Sequence, residues 1–581
     1  MCDSGLVEVT SSSRFRLACL LLVSILLLTL PEPSSADPPI RASAGAGKAS
    51  TKPAMRRVVI LGLRRRGKPA RFAGQVSNPA SSRYRRFLSQ AQFRSRFSAT
   101  AADRRRVMRF LRSRRGVFKV RMNPSGTVVM TVMSQRAAKS FFCAGNGPLP
   151  VKGLCRPNRL RQAVWQVSAG EVFQPQGKKS GREPAAAGGT PEGCQAALKG
   201  KTITPNQLAT AYGVDPLHAR RLDGSGIRVA TLSSQSVETT GFATWARCFG
   251  LRTPNVKQVA MPGVGATAPE ETVLDVEALA TLAPGLDRIS PIFVPLDQSF
   301  SNSFLLFMFG ALDPSRQGGK LPHLLSISDG VCEDRFSKAE LNLGNRLLTE
   351  AAAIGITTLA ASGDLGFQGC FTSARGALFP GSSRFTTSVG GTDLKFTAGN
   401  SIASEVVWST FATQSSQGVG TGGGPSTTWA RPGFQHGPGI GPALQSGKAT
   451  RLSPDIAAMA SFVPGLSVFD KEGGGWGIGG GTSAATPLSA AMVALVLQQE
   501  FEAGRPALGS LPPLLYRLAG GPGYDTVFND ITAGTSSTNP KSAAGRKPSG
   551  GAAQPGYDMA TGLGSLKAAA FADAVAGQLF D

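Results

Sequence analysis

Histidine is nearly missing from this chain, with three in 581 residues. His218 follows Asp-Pro-Leu, His323 precedes a strand-like run and His436 lies among glycines and prolines, and none has the neighbourhood of a catalytic base. There is no Cys-x-x-Cys metal pattern, no Asn-x-Ser/Thr acceptor without an intervening proline, and no internal repeat. Beyond the first thirty residues no segment approaches eighteen uninterrupted apolar residues, so no membrane span is expected there. Acidic residues are scarce at one end only. Between Asp37 and Thr190 just 4 Asp and Glu stand against 33 Lys and Arg, whereas from Pro191 onward 29 face 27. The net charge of +26 therefore belongs to the N-terminal third. Its densest clusters, Arg64 to Arg66, Arg104 to Arg106 and Arg112 to Arg115, have no interleaved aromatics and no nucleic-acid motif. A nucleic-acid partner is not expected.

At the N-terminus Arg14 and Arg16 precede an apolar run from Leu17 to Leu30, then Pro31, Pro33 and small residues up to Ala36. The run is too short to span a bilayer and reads as a secretory signal covering 1–36; an uncleaved anchor is the competing reading. A secreted product is expected. The alternative, an acidic lysosome- or vacuole-like compartment, is disfavoured by the missing glycosylation acceptor. Six cysteines remain after such a cleavage, an even number that fits three disulfides in an exported protein. Fifteen pairings are open. Cys143 and Cys155 form a natural local loop, Cys332 and Cys370 are placed to meet, and Cys194 and Cys248 are then left over. Hydrophobic content of 41% over this length supplies a substantial core in two or three domains.

The most informative peptide is Gly-Gly-Gly-Thr-Ser-Ala-Ala-Thr-Pro, Gly479 to Pro487, which leads into the apolar helical stretch Leu488 to Gln498. A serine at such a junction sits at a helix N-terminus, where free N–H groups and the positive dipole end favour a developing oxyanion. Ser483 is a candidate nucleophile, and with no suitable histidine its base must be something else. In Glu-Thr-Val-Leu-Asp, Glu271 and Asp275 stand four apart within a helical run from Glu270 to Leu282, hence on one face. Two like charges there share a proton more readily than they both ionise. Taken alone, the pair reads equally as solvated acids in the first turn of a helix.

Serine with Glu-x-x-x-Asp resembles the sedolisin family, the serine-carboxyl peptidases, and further segments agree in order between about Thr202 and Gly564. Ala-Ala-Ser-Gly-Asp, Ala360 to Asp364, resembles the family's oxyanion-hole segment, with Asp364 as its aspartate. Leu-Ser-Ile-Ser-Asp-Gly, Leu325 to Gly330, resembles a Ser-Ile-Ser-Tyr-Gly strand in which Asp329 replaces the usual tyrosine. Phe-Pro-Gly-Ser-Ser from Phe379, with Thr-Ser-Val-Gly-Gly-Thr ending at Thr392, and Ser-Pro-Asp-Ile-Ala from Ser453 match other stretches. Phe-Asn-Asp-Ile-Thr-Ala-Gly from Phe528 and Gly-Tyr-Asp-Met-Ala-Thr-Gly-Leu-Gly from Gly556 correspond to the family's calcium segments.

The resemblance implies a triad of Ser483 as nucleophile, Glu271 as base and Asp275 as its orienting partner, with a protonated Asp364 at the oxyanion. It also implies one Ca2+ site made by the carboxylates of Asp530 and Asp558 and the carbonyls of Ile531, Gln554 and Gly556. Hard oxygen donors suit that ion. Gly422, Gly423 and Gly424, with Ser426, resemble a substrate-binding strand to which a peptide adds by β-pairing. The implied activity is hydrolysis of peptide bonds by a monomer made as a zymogen, with protein or peptide substrates and its own prodomain as partners. Activity is expected to be highest at acid pH.

The basic third fits such a prodomain. Tyr84, Phe87, Leu88 and Phe93 resemble the Tyr-x-x-Phe-Leu run of sedolisin propeptides. A helix is expected over Ala101 to Arg112. Val117 to Met122 and Thr127 to Met133 should form a hairpin across Asn-Pro-Ser-Gly. The expected organisation is a signal (1–36), an α+β prodomain (37–173), a Gly/Pro/Lys-rich processing linker (174–192) and a catalytic domain (193–581). In the last, strand-like and helix-like runs alternate from Ile227 to Ala361, which predicts an α/β, subtilisin-like parallel sheet with helices on both faces. Two rival readings stand beside this one: a catalytically dead protein on the same fold, and a Ser/His protease.

Overall fold

The computed structural model describes residues 56–142, 164–168 and 187–577, apart from 234–235, 263–269, 295–299, 368, 370–375, 411–417, 444–448 and 538–550. The expected signal, Cys143, Cys155, Cys370 and most of the linker lie outside the described residues.

The basic N-terminal domain is built on a four-stranded antiparallel sheet in the order Val117–Met122, Val128–Ser134, Arg56–Leu63, Val164–Ser168. Along Arg56–Leu63 the two-residue period of a strand divides the side chains. Val59, Leu61 and Leu63 join Val107 and Leu111 of the helix Ala101–Arg112 on one face. Val58 and Ile60 lie on the other, together with Phe304, Leu347 and Leu348 of the main domain. The N-terminal domain thus has a small core of its own and lays its second face on its neighbour. The expected helix and hairpin are present. The strand Arg56–Leu63 was not anticipated, because burial on both faces gives it an unbroken apolar run instead of alternation.

The main domain holds a ten-stranded sheet. Its centre is parallel, in the order Ile456–Met459, Thr387–Phe396, Thr357–Ala361, Leu324–Ile327, Arg228–Ser233, Arg288–Phe293, Val259–Ala260. Antiparallel partners finish it on one side: Ile402–Val407 pairs with Thr387–Phe396, and Phe528–Asn529 with Ser565–Leu566. Helices Glu270–Leu282 and Thr482–Glu502 cover the face carrying Leu324 and Leu359. Helices Phe300–Ala311 and Lys338–Ala353 cover the face carrying Leu325 and Ala360. The last of these starts at a capping box in which Ser337 and Glu340 satisfy each other's backbone N–H groups. This is the expected α/β arrangement. It places the ends of Leu324–Ile327 and Thr357–Ala361 beside the start of Thr482–Glu502, where a parallel sheet gathers functional residues. Cys194 and Cys248 form a disulfide with Cα atoms 4.9 Å apart, and Cys332 is also disulfide-bonded.

Candidate active site

Ser483 is the second residue of the helix Thr482–Glu502, so its N–H is among those that no carbonyl of the same helix can reach. Gly481 precedes the helix at φ +78°, and a Cβ there would lie 2.4 Å from Asp364 Oδ2. Only glycine fits both the backbone angle and the approach. Asp364, in the turn after Thr357–Ala361, accepts from the Thr482 N–H at 2.8 Å and from Thr482 Oγ1 at 2.7 Å. Thr482 Oγ1 in turn accepts from the Gly363 N–H at 3.1 Å. The two loops that bear Ser483 and Asp364 are therefore fastened to each other.

Helix Glu270–Leu282 brings Glu271 and Asp275 to the same point. Asp275 is fully buried, and the Ser328 hydroxyl is hydrogen-bonded to its Oδ1. Ser483 Oγ donates to the Ser328 carbonyl at 3.3 Å, and Ser328 Oγ donates to the Ser483 carbonyl at 3.2 Å. Pro487 explains the second bond. It occupies the place whose N–H would serve the Ser483 carbonyl in a regular helix, and proline has none. Ser328, at the end of Leu324–Ile327, supplies the missing donor. Sequence reasoning overlooked Ser328, whose signal was its place one residue past the strand end in Leu-Ser-Ile-Ser-Asp-Gly.

Burial dominates the electrostatics. It pushes the Glu271 carboxyl up to about 8, with Asp329 and Asp364 adding to the rise and a bond to the Ser483 side chain opposing it. Asp275 is driven well above the carboxylate range by burial and by Glu271. Asp364 is raised by burial against the pull of its Thr482 bonds, and Asp329 is raised to about 6 by burial and by Asp364. No cation is among the causes acting on any of the four, so the site holds protons that ordinary carboxylates would release. With Asp275 protonated, it donates to Ser328 and Ser328 to the Ser483 carbonyl, which satisfies the chain of bonds. Glu271 Oε1 and Asp275 Oδ2 remain sealed from solvent without a protein partner. The histidines are engaged elsewhere: His218 with the Leu282 carbonyl, His323 with Arg228 and His436 with the Gly433 carbonyl.

The basic domain carries its own mark of identity. The sequence pattern of the family described as Pro-kumamolisin, activation domain, matches residues 43–145. Kumamolisin of Bacillus sp. (strain MN-32) is 33% identical to this chain over 374 residues, 62% of this chain and 61% of that protein. The match of residues 43–145 to an activation domain and the likeness of about three fifths of the chain to kumamolisin support the sedolisin family with its N-terminal propeptide. Human tripeptidyl-peptidase 1 is 32% identical over 261 residues, 42% of each chain. This chain thus spans about three fifths or less of the length of these relatives. The solved structure of Pseudomonas sedolisin (serine-carboxyl proteinase), complexed with two molecules of pseudo-iodotyrostatin, superposes with a TM-score of 0.54 at 21% identity, covering 67% of this chain and 99% of that one. That likeness shows the subtilisin-like α/β fold.

Two further groups expected from sequence can be placed. Gly422 and Gly423 are required by close packing, since a Cβ would meet the Ser362 carbonyl oxygen at 2.3 Å and that of Met559 at 1.9 Å respectively. The Gly422 N–H donates to the Gly363 carbonyl at 2.6 Å, and Gly424 pairs with Ser453. Ser426 is buried and its hydroxyl donates to Glu333 at 2.7 Å, so its side chain anchors the strand Gly424–Ala430. Glu333 also accepts the Thr427 N–H and Oγ1, both at 2.7 Å. At the implied metal site, Asp558 is buried and burial lifts its carboxyl to about 7. Asp530 accepts from Tyr524 Oη at 3.1 Å and from the Gly556 N–H at 2.8 Å. Among the described residues no backbone N–H donates to the carbonyls of Ile531, Gln554 or Gly556. Two carboxylates without a cation and three open carbonyls are a donor set that fits Ca2+.

Proposed function

We propose that this protein is a serine-carboxyl peptidase made as a zymogen. The observation that carries the reading is Ser483 at a helix start, joined to Glu271, Asp275 and Asp364 in a pocket with no histidine. Ser483 Oγ attacks the peptide carbonyl while Glu271 takes its proton, and Glu271 then returns that proton to the leaving amine. Asp275, fixed by Ser328, orients Glu271. Protonated Asp364 and the Ser483 N–H donate to the oxyanion. Water then releases the acyl group by the same steps in reverse.

The pH dependence follows in sign. Asp364 must be protonated, and its raised pKa keeps it so in weak acid; activity is lost as pH rises and Asp364 ionises. At the acid end, activity falls when the Glu271–Asp275 pair takes up its last proton and no base remains. With Glu271 raised to about 8 in the structure, the pair must ionise lower in the working complex for the enzyme to act in acid, and an acid limb lying near 8 would contradict that reading. Asp530, Asp558 and the carbonyls of Ile531, Gln554 and Gly556 would hold one Ca2+, which supplies a fixed positive charge that ties the C-terminal segments together. Gly423 and Gly424 offer backbone to an extended peptide. The protein is secreted or delivered to an acidic compartment; among the described residues no helix is long and apolar enough to cross a membrane.

The activation domain is held at two buried ion pairs, Arg65 to Glu350 at 2.9 Å and Arg85 to Glu500 at 2.6 Å. Loss of either partner leaves a buried charge unpaired and weakens the hold. A Glu271→Gln substitution separates the proposed mechanism from a Ser/His protease. It should lower kcat on a peptide substrate by about a thousandfold or more, while replacing His218, His323 and His436 together should not. The reverse pattern would refute the assignment.

A further inference from the structure

The fourth carboxylate of the pocket has no part in the reaction just described. Asp329 follows Ser328, whose carbonyl receives the Ser483 hydroxyl and whose side chain holds Asp275. It therefore stands one residue from the contact with the reacting serine, and its charge adds to the rise of Glu271 and Asp275. Unlike Asp275 it keeps some exposed surface. Several buried acids elsewhere have a cation: Glu350 has Arg65, Glu500 has Arg85 and Arg505, and Asp455 has Arg451; Glu333, Glu405 and Glu277 have hydrogen bonds instead. Among the described residues Asp329 has no ion pair, and no cation acts on it. An acid crowded by three others and lacking a cation is a place where a positively charged ligand binds well.

We propose, resting on the peptidase reading, that Asp329 is a specificity-determining residue that accepts a cationic group of the peptide substrate beside the scissile bond. The chemistry is an ammonium or guanidinium, borne by a Lys or Arg side chain or by a free peptide N-terminus. Binding replaces one of the pocket's retained protons with the substrate's cation, so the charge of the site is balanced without changing the steps at Ser483.

The test uses the acid-activated full-length product and internally quenched peptides that differ only by Lys, norleucine or Glu at each of three positions on either side of the cleaved bond. Each peptide is made with a free and with an acetylated N-terminus. At one position Lys should exceed norleucine in kcat/KM by about tenfold, the scale of one charge-assisted hydrogen bond, with Glu lowest. In Asp329→Asn that ratio should fall to about one, whatever the absolute rates. If acetylation alone removes the preference, the cation is the peptide N-terminus; if it does not, it is the side chain. Should Asp329→Asn fail to fold, the wild-type ratio is followed with pH. It should rise as Asp329, raised to about 6, ionises, and the ratio is used because Glu271, Asp275 and Asp364 alter the absolute rate over the same range. A Lys preference that survives Asp329→Asn, no Lys preference at any position, or a pH-independent ratio would overturn the proposal while leaving the peptidase reading intact. Hydrolysis of none of the peptides would remove the peptidase reading and the proposal together.

Discussion

Buried acids in two parts of this molecule are treated in opposite ways. Where the activation domain meets the main domain, each buried glutamate is met by arginine. Glu350 takes Arg65 and a 2.8 Å bond from Thr127 Oγ1, and Glu500 takes Arg85 and Arg505. Around Ser483 four carboxyls gather with no cation among the described residues, and each is pushed upward. The first arrangement fixes charge and uses it for attachment. The second suppresses charge and stores protons for chemistry. The N-terminal third, which carries nearly all of the excess positive charge, is thus fastened by buried ion pairs to a nearly neutral main domain.

The comparison is broken most severely at the nucleophile. Ser483→Ala should reduce peptide hydrolysis by on the order of 10⁴-fold or more, measured as kcat after forced removal of the activation domain, with thermal stability little changed. Next comes the attachment. Arg65→Ala leaves Glu350 buried without its ion-pair partner, a loss of about 3–5 kcal/mol. Processing should then begin at higher pH than in the wild type, as followed by gel across a pH series. Arg85→Ala should act more weakly, because Glu500 keeps Arg505 at 2.5 Å; equal effects would show that the ion pairs do not govern release. Removing Ca2+ with EGTA should cost about 2–3 kcal/mol relative to an ion concentration near a hundred times its Kd. This would be read as a fall in Tm that Asp558→Asn abolishes.

The smallest effect is the most diagnostic of the pocket. Asp275 has a folded-state pKa well above its unfolded value, so its contribution to stability is full in acid and is lost as pH rises through that raised value. Asp275→Asn should therefore match the wild type at pH 4 but exceed it at pH 7 by on the order of 1–2 kcal/mol, at the expense of activity. A variant less stable than wild type at both pH values would mean that the Asp275 charge is not suppressed.

Much of this was readable before the structure because the signals are local. The helix spans Glu270–Leu282 and Ala101–Arg112 were legible from periodicity, and Glu271 and Asp275 fall on one helical face. Ser483 was marked by its glycines and the apolar helix after it. Other features depend on contacts between distant segments and leave no periodic trace. The Ser328–Asp275 bond joins residues 53 apart, and Arg65 and Glu350 are 285 apart. Asp329 was visible as a departure from the family's tyrosine, but that it joins the acids of the pocket was not. Pro487 was read as part of a motif, and its effect on the Ser483 carbonyl emerged only with Ser328 in place. That the Ser426 hydroxyl bonds Glu333 was not readable, because a serine beside a glycine run carries no sign of which way its hydroxyl turns. The hairpin Leu466–Asp470 with Gly475–Gly479 escaped notice since its second strand is mostly glycine.

The most direct test of the central claim is to bring the purified proenzyme and its Ser483→Ala variant to about pH 4, where carboxyls titrate, and follow chain mass and peptide cleavage together. The account predicts that the wild type sheds its basic N-terminal third and begins to hydrolyse peptide, while the variant does neither. Equal processing and equal peptide hydrolysis by the two proteins would contradict it.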